Sequence, residues 1–402
     1  MHAIRELEDR FSLNVYPKRP LVIVKGEGAR VWDDQGRVYI DCVSGNGVAN
    51  IGHANPAVIE AITRQAQELI TCPGIFYNPV RARLLEKLVE IAPDTISRTF
   101  LCNSGAESIE AAIKFARYTT GKTEILCATR GFHGRTLGAL SATHHPKHKK
   151  GFGPLVPGFR HVPFNRFDEL VAHTTKETAA VLLEIVQGEG GVHVGHPEYF
   201  QQVQELCRQR DILLIIDEVQ TGFCRTGKMF ACEHFDLQPD ILCVAKAIAG
   251  GLPMGAVLCS ERIQLPVGAH GSTFGGNPLV CAAAHAAIDF MVTHKLDQQA
   301  AEKGQYLVDR LHQQDFPIVR EIRHLGLMIG IELRTRVKPY ILKLLDAGVL
   351  ALPAGRTVLR LLPPLTISYP ELDIVVEALV KVLKGNEGNL NPNNTRKHES
   401  RE

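Results

Sequence analysis

"ILLIIDEVQTGF", residues 212–223, decides the fold. Five consecutive apolar residues, Ile212 to Ile216, run straight into Asp217 and Glu218. A half-solvated strand alternates polar and apolar residues, so a short unbroken apolar run reads as a strand covered on both faces, as in a parallel sheet flanked by helices. The run delivers Asp217 to the carboxyl end of that strand, the edge at which α/β sheets hold ligands. A carboxylate there is either a turn or helix-cap acid, or an acid paired with a cationic or protonated partner, because an unpaired charge is costly away from water.

Outward from this run the same pattern repeats. "RTFLC" (98–102), "EILCA" (124–128), "AAVLLEIV" (179–186), "ILCVA" (241–245) and "GAVLCS" (255–260) are further strand candidates. Helical periodicity occupies 55–70, 79–91, 105–120, 197–210 and 278–293; in the third, Ala106, Ile109, Ala112, Ile113 and Ala116 recur on one face and predict packing against the sheet. Strands alternating with helices predict an α/β fold with a large, mostly parallel sheet. After about residue 295, a charged helix, a strand pair in "IVREIRHLGLMIGIEL" (318–333), another helix and "TVLRLLPPLTI" predict a smaller α+β domain. The expected organisation is an N-terminal segment (1–50) joining the small domain, a large domain (51–293), the small domain (294–385) and a polar, Asn-rich disordered tail (386–402).

Composition excludes several classes. With 402 residues the chain has ample core for two domains. A formal charge of +2 gives no support to nucleic-acid binding. The charged start "MHAIRELEDRFSLN" lacks the apolar core of a signal peptide, and no run approaches the roughly 18 apolar residues of a membrane span, so a cytosolic protein is expected. Ten cysteines lack metal-binding spacings, and Cys127, Cys243 and Cys259 lie inside apolar runs, which predicts buried free thiols and no metal site.

Chemistry is carried by five segments. In "LCNSGAESIEAAIKFA" a strand ends at Asn103, and Ser104 and Glu107 have capping-box spacing, while Gly105 and Ala106 leave the first N–H groups of a helix open: a plain cap, or a seat for a phosphate. Lys246, 29 residues after Asp217, is the one charge in "ILCVAKAIAGGLP". It reads either as a strand-end lysine reaching water or as a buried amine whose lowered pKa suits imine chemistry. "RGFHGRTLGALSA" offers Phe132 as a stacking face and Arg135 as a carboxylate fork, against a packed Phe and a surface Arg. His133 is expected on a ring or backbone rather than on a metal, and the basic "HHPKHKK" (144–150) as a solvated surface. In "HGSTFGGNP", Ser272 and Thr273 beside a Gly-rich turn either complete a phosphate cup or form an ordinary cap.

No segment decides alone, but their order does. A helix start for phosphate, an aromatic face, an acid for a heterocycle nitrogen and a sequestered lysine together specify pyridoxal phosphate. Over roughly residues 14–385, "GEGARVWDDQGRVYIDCVSG", "GHANPAV", "FYNP", "NSGAESIEAAIKFAR", "GFHGRTLGALSAT", "QGEGGV", "LLIIDEVQTGFCRTGK", "PDILCVAKAIAGGLPMGAV", "HGSTFGGNP" and "VLRLLPPL" make the chain resemble the subgroup III aminotransferases of fold type I. It is most similar to the acetylornithine aminotransferases and to enzymes acting on lysine held by an amino-group carrier protein.

The resemblance implies that the large, mostly parallel sheet is seven-stranded, and it implies a role for each matching position. Lys246 would hold the cofactor, Asp217 its pyridine nitrogen, and Gly105 and Ala106, with Ser104 nearby, its phosphate. Phe132 and Val219 would cover the two ring faces, and Gln220 would lie near the phenolic oxygen. Thr273 would reach the phosphate of a neighbouring subunit, which implies a homodimer with shared sites. For substrate, Arg135 would bind the α-carboxylate of a capped diamino acid and Arg360 that of glutamate or 2-oxoglutarate; Glu189 would cover Arg360, and Ser272 and Tyr16 would lie near the substrate.

Two positions depart from the pattern: Ile185 stands where the family usually has proline, and Asn46 where it has an apolar residue or tyrosine, so Asn46 is expected to face the substrate's cap. The implied reaction transfers a terminal amino group to 2-oxoglutarate in arginine or lysine biosynthesis. Free ornithine, 4-aminobutyrate and a catalytically silent binding protein are the competing readings.

Overall fold

The computed structural model describes residues 2–384; the predicted tail lies outside the described residues. After an N-terminal helix (His2–Phe11), three antiparallel strands follow, β1 (Ile23–Glu27), β2 (Arg30–Asp33) and β3 (Val38–Asp41). The central sheet then opens with β4 (Ile96–Cys102), β5 (Glu124–Ala128), β6 (Phe159–Val162) and β7 (Thr178–Glu184). A small hairpin, β8 (Val186–Gln187) and β9 (His193–Val194), precedes β10 (Leu213–Asp217), β11 (Ile241–Val244) and β12 (Gly255–Ser260).

The seven strands lie in the order β4-β12-β11-β10-β7-β5-β6, and only β12 runs against its neighbours. The apolar runs are unbroken because both faces are covered. Along β10, Leu213 and Ile215 join one core cluster with Ile109, Ala112 and Ile113 of the helix Gly105–Thr120, while Leu214 and Ile216 join the other with Val181, Leu242 and Val244. On the second face the helix Pro278–Thr293 packs on Pro56–Glu68 and Pro79–Glu90. The edge strand β6 was not foreseen: "FRHV" is four residues long with two polar residues at its centre, so it carries no unbroken apolar run.

The last third forms an antiparallel sheet from β13 (Val319–Leu325) and β14 (Met328–Leu333), with β15 (Val349–Leu350), β16 (Leu352–Ala354) and β17 (Val358–Leu361) following. Its order is β13-β14-β17-β16, whereas β15 leaves it to pair in parallel with β3, joining the N-terminal strands to the C-terminal third. A fully buried Arg225 stitches these parts together. It donates to the carbonyls of Leu327 (3.0 Å) and Pro363 (2.6 Å) and to Asn50 Oδ1 (2.5 Å). All ten cysteines are free thiols, nine of them buried. Among the described residues no single helix is long and apolar enough to cross a membrane.

Candidate active site

Parallel strands carry their ends to one edge, and there a cavity of about 400 Å³ opens. Its lining brings together Asn103 to Ala106 after β4, Phe132 and His133 after β5, Glu184 at the end of β7, Asp217 at the end of β10, and Lys246 after β11, with Val219, Gln220 and Glu189.

The helix Gly105–Thr120 points its N-terminus into this space. Ser104 caps it, its Oγ accepting the Glu107 N–H at 3.1 Å, an interaction worth about 1 kcal/mol. The return arm differs from a capping box: Glu107 Oε2 accepts from the Asn103 N–H and from Asn103 Nδ2, both at 2.9 Å, one residue further back. Asn103 Nδ2 also donates to Ser272 Oγ at 3.2 Å, tying the "HGSTFGGNP" loop to the cavity wall. A Cβ on Gly105 would lie 2.7 Å from Val219 Cγ1, so the helix start and the Val219 side chain meet only because residue 105 has none.

Asp217 is buried and fully engaged. Its Oδ1 accepts the Val219 N–H at 3.0 Å, and its Oδ2 lies 2.7 Å from His133 Nδ1, which carries the proton because an ionised carboxylate only accepts. Burial pushes the imidazole down, but the hydrogen bond and charge of Asp217 outweigh it and His133 is held above its ordinary value. The sequence alone does not name this carboxylate as the partner of His133, which also lines the cavity. Asp217 requires a protonated partner, and a histidine 84 residues earlier supplies it. Beside them Glu184 accepts the Phe132 N–H at 3.0 Å, and burial raises its carboxyl to about 7.

Lys246 begins a short 3₁₀ turn, Lys246–Ala249, rather than ending β11, and its φ is +42°. A lysine in the left-handed region is strained, and such strain persists only where the surroundings impose it. Burial lowers its pKa, with the Glu189 charge opposing and that of Arg360 assisting. Lowering the pKa of an amine makes it easier to deprotonate into the form that acts as nucleophile and base.

Arg360, in β17, stands behind Glu189: Nη2 to Oε1 is 2.7 Å, and Nη1 donates to Gln220 Oε1 at 3.1 Å. Burial pushes the Glu189 carboxyl up, yet Arg360 and Lys246 outweigh it and hold it below its ordinary value. Arg135 is exposed at the end of the Phe132 loop, its guanidinium 5.5 Å from the Phe132 ring centre. Tyr16, Asn46 and Thr273 are exposed and lie outside the cavity lining of the single chain; Val48, two residues beyond Asn46, lines it instead. Ile185 is buried, and its carbonyl accepts the Gly195 N–H at 2.9 Å as the chain turns from β7 into the hairpin. "HHPKHKK" is not all loop, for Pro146–Lys149 forms a helical turn that sets the His148 ring edge-on to Phe132 at 5.7 Å.

These groups fit pyridoxal phosphate. Open helix donors beside Ser104 suit a phosphate dianion, the side-chain-free Gly105 leaves a slot floored by Val219, the held carboxylate of Asp217 suits a protonated ring nitrogen, and Lys246 suits an aldehyde.

Known proteins agree with this geometry. The model of the family "Aminotransferase class-III" matches residues 13–383. A [LysW]-aminoadipate semialdehyde transaminase of Deinococcus radiodurans is 47% identical over 98% of this chain and 92% of that protein, and an acetylornithine aminotransferase of Methanocaldococcus jannaschii is 44% identical over 94% and 97%. Among solved structures, the ornithine aminotransferase of Toxoplasma gondii ME49 superposes with a TM-score of 0.92 at 34% identity, over 95% of this chain and 94% of that one. The cavity and these relatives lead to one statement: the chain belongs to the class-III aminotransferases, which are pyridoxal-phosphate-dependent enzymes.

Proposed function

We propose that the protein moves the terminal amino group of an N2-capped diamino acid, N2-acetylornithine or a close chemical relative, to 2-oxoglutarate, giving a semialdehyde and glutamate. The observation that carries this reading is the ion pair between Glu189 and Arg360, 2.7 Å apart beside the cavity that Lys246 enters. A paired Arg360 presents no net charge, so a terminal –CH₂–NH₃⁺ group enters without repulsion. With Glu189 turned aside, the same guanidinium offers a two-pronged seat for the carboxylate of 2-oxoglutarate. One site thus handles two substrates of opposite character in alternation.

Bound pyridoxal phosphate supplies an aldehyde carbon that takes up amines and a ring that stores the electron pair released at the substrate carbon. The chain's residues do the rest. Lys246, buried in the cavity and with a lowered pKa, would hold the cofactor's aldehyde and, when free of it, would carry the proton to and from the substrate's terminal carbon. Asp217, itself fixed by His133 and the Val219 N–H, would hold the cofactor's protonated ring nitrogen. Arg135, over Phe132 and free at the mouth, binds the α-carboxylate of the capped donor. Thr273 faces outward and serves the phosphate of a second copy, so the working form is a homodimer, in the cytoplasm, and a gel-filtration mass of one chain would count against it.

A second donor is lysine attached to an amino-group carrier protein, as the name of the 47% identical relative indicates for that protein. A single-turnover screen of the loaded enzyme against N2-acetylornithine, N2-acetyllysine, ornithine and 4-aminobutyrate, read by visible absorbance, tests the class. The capped donors should convert fastest; faster conversion of ornithine or 4-aminobutyrate would overturn it.

A further inference from the structure

Arg360 has a counterpart two strands away. In the antiparallel sheet Arg323 of β13 pairs with Gly330 of β14, and Gly330 pairs with Arg360 of β17. Residues directly opposite on neighbouring strands share a face, so two arginines flank a glycine in one row. The segment Gly188–Val192 lies across that row. Glu189 meets Arg360 at its near end, while Arg323 donates to the Gly191 carbonyl from Nη2 (2.9 Å) and Nε (3.3 Å) at its far end. Gly330 makes the contact possible, because a Cβ there would lie 2.7 Å from Val192 Cβ.

The segment is held in a conformation it would not adopt alone. Val192, β-branched, has φ +56°, and Gly191 has φ +123°. The Val192 N–H donates to the Gln187 carbonyl at 2.9 Å, closing the loop. Arg323 is itself fixed, its Nη1 pairing with Glu332 at 2.6 Å and with Glu321. The backbone is thus tied at both ends, which leaves rotation of the Glu189 side chain, itself paired with Arg360, as the way to uncover the guanidinium.

We propose that Arg323 is a positioning residue for substrate alternation: by pinning the Gly191 carbonyl it fixes the backbone beneath Glu189, so that side-chain rotation alone decides whether Arg360 is covered or open to a carboxylate. This rests on the reading that Arg360 seats the carboxylate of 2-oxoglutarate. Without Arg323 the loop relaxes, Glu189 is less well aimed, and Arg360 stands uncovered more of the time. Carboxylates then bind where the amine donor should.

The test uses the loaded enzyme with Arg323→Gln and Arg323→Lys. Glutarate, a dicarboxylate without a keto group, is the probe, and its inhibition of the N2-acetylornithine half-reaction is measured alongside KM and kcat for each half-reaction and the melting temperature. Arg323→Gln should tighten glutarate inhibition and raise the donor KM by about five- to tenfold, the size of one lost hydrogen bond, while kcat with 2-oxoglutarate stays within about twofold. Arg323→Lys, which restores one donor, should fall between. Equal losses in both half-reactions with unchanged glutarate inhibition, in whichever variant folds, would overturn the proposal. Arg360→Ala is the control: if it leaves glutarate inhibition unchanged, the reading of Arg360 itself fails, and the proposal with it.

Discussion

Asp217 and His133 meet at 2.7 Å, both buried, and the hydrogen bond and charge of Asp217 hold the imidazole above its ordinary pKa. His133→Gln keeps a hydrogen-bond donor but removes the basic ring that Asp217 holds above its ordinary pKa. It should weaken cofactor affinity about tenfold and shift the visible band of the bound cofactor, both measurable by titrating the apoenzyme with pyridoxal phosphate. Unchanged affinity and spectrum would show that Asp217 does not need the imidazole.

Lys246→Ala removes both the covalent hold on the cofactor and the proton carrier. Turnover should fall at least about a thousandfold, the upper range for a lost acid–base group. An added primary amine such as methylamine should restore part of the proton transfer, and no rescue at any amine concentration would argue against that role.

Arg360→Ala should divide the two half-reactions. Loss of a two-pronged carboxylate contact costs the 2-oxoglutarate half-reaction roughly ten- to a hundredfold in kcat/KM, while the diamine half-reaction changes far less. Stopped-flow measurement of each half-reaction decides it; equal losses would remove the alternation mechanism.

Gly105→Ala places a methyl group 2.7 Å from Val219 Cγ1. Overpacking of this kind costs about 1–3 kcal/mol, and the displaced valine should narrow the cofactor slot, weakening pyridoxal phosphate binding roughly tenfold. Val219→Ala in the same chain should recover much of the loss. Two effects that merely add would show that the contact is not the cause.

Glu218 lies outside the reaction but gives a pH signature. Burial raises its carboxyl to about 7 against an ordinary value near 4.5, despite hydrogen bonds from Thr221 Oγ and the Cys232 N–H. The folded state therefore keeps a proton that the unfolded chain releases, so this contribution to stability is complete below about pH 4.5 and is lost as pH rises to about 7. Glu218→Gln should flatten that part of the stability curve by an amount on the order of 3 kcal/mol, read by denaturant melts across the range. A slope unchanged by the substitution would refute the assignment.

What the sequence made legible follows from how local each signal is. The unbroken runs 124–128 and 255–260 became strands with those bounds, because burial on both faces is written into consecutive residues. Ser104 as a cap was equally local. Lys246 was placed near its position but not in its conformation, since nothing in "VAKAI" announces a lysine at φ +42°. The need of Asp217 for a partner was foreseen from cost alone, yet naming His133 required the fold, which brings together residues 84 apart. Asn46 shows the reach of a family position: it drew attention to a stretch whose Val48 lines the cavity, while Asn46 itself is exposed on the single chain.

Arg225 bears on the order in which the molecule can be made. Its acceptors lie at residues 50, 327 and 363, and β3 finds its parallel neighbour only at residue 349. A ribosome that has released the first 300 residues has thus delivered the whole central sheet, but with β3 unpaired along one edge and a guanidinium that lacks two of its three acceptors. Long-range closures of this kind slow folding and leave strand edges exposed meanwhile. Chains cut short before residue 363 should therefore collect as aggregates rather than as smaller, partly active enzymes, and the period of vulnerability lasts until residues 349 and 363 have been made.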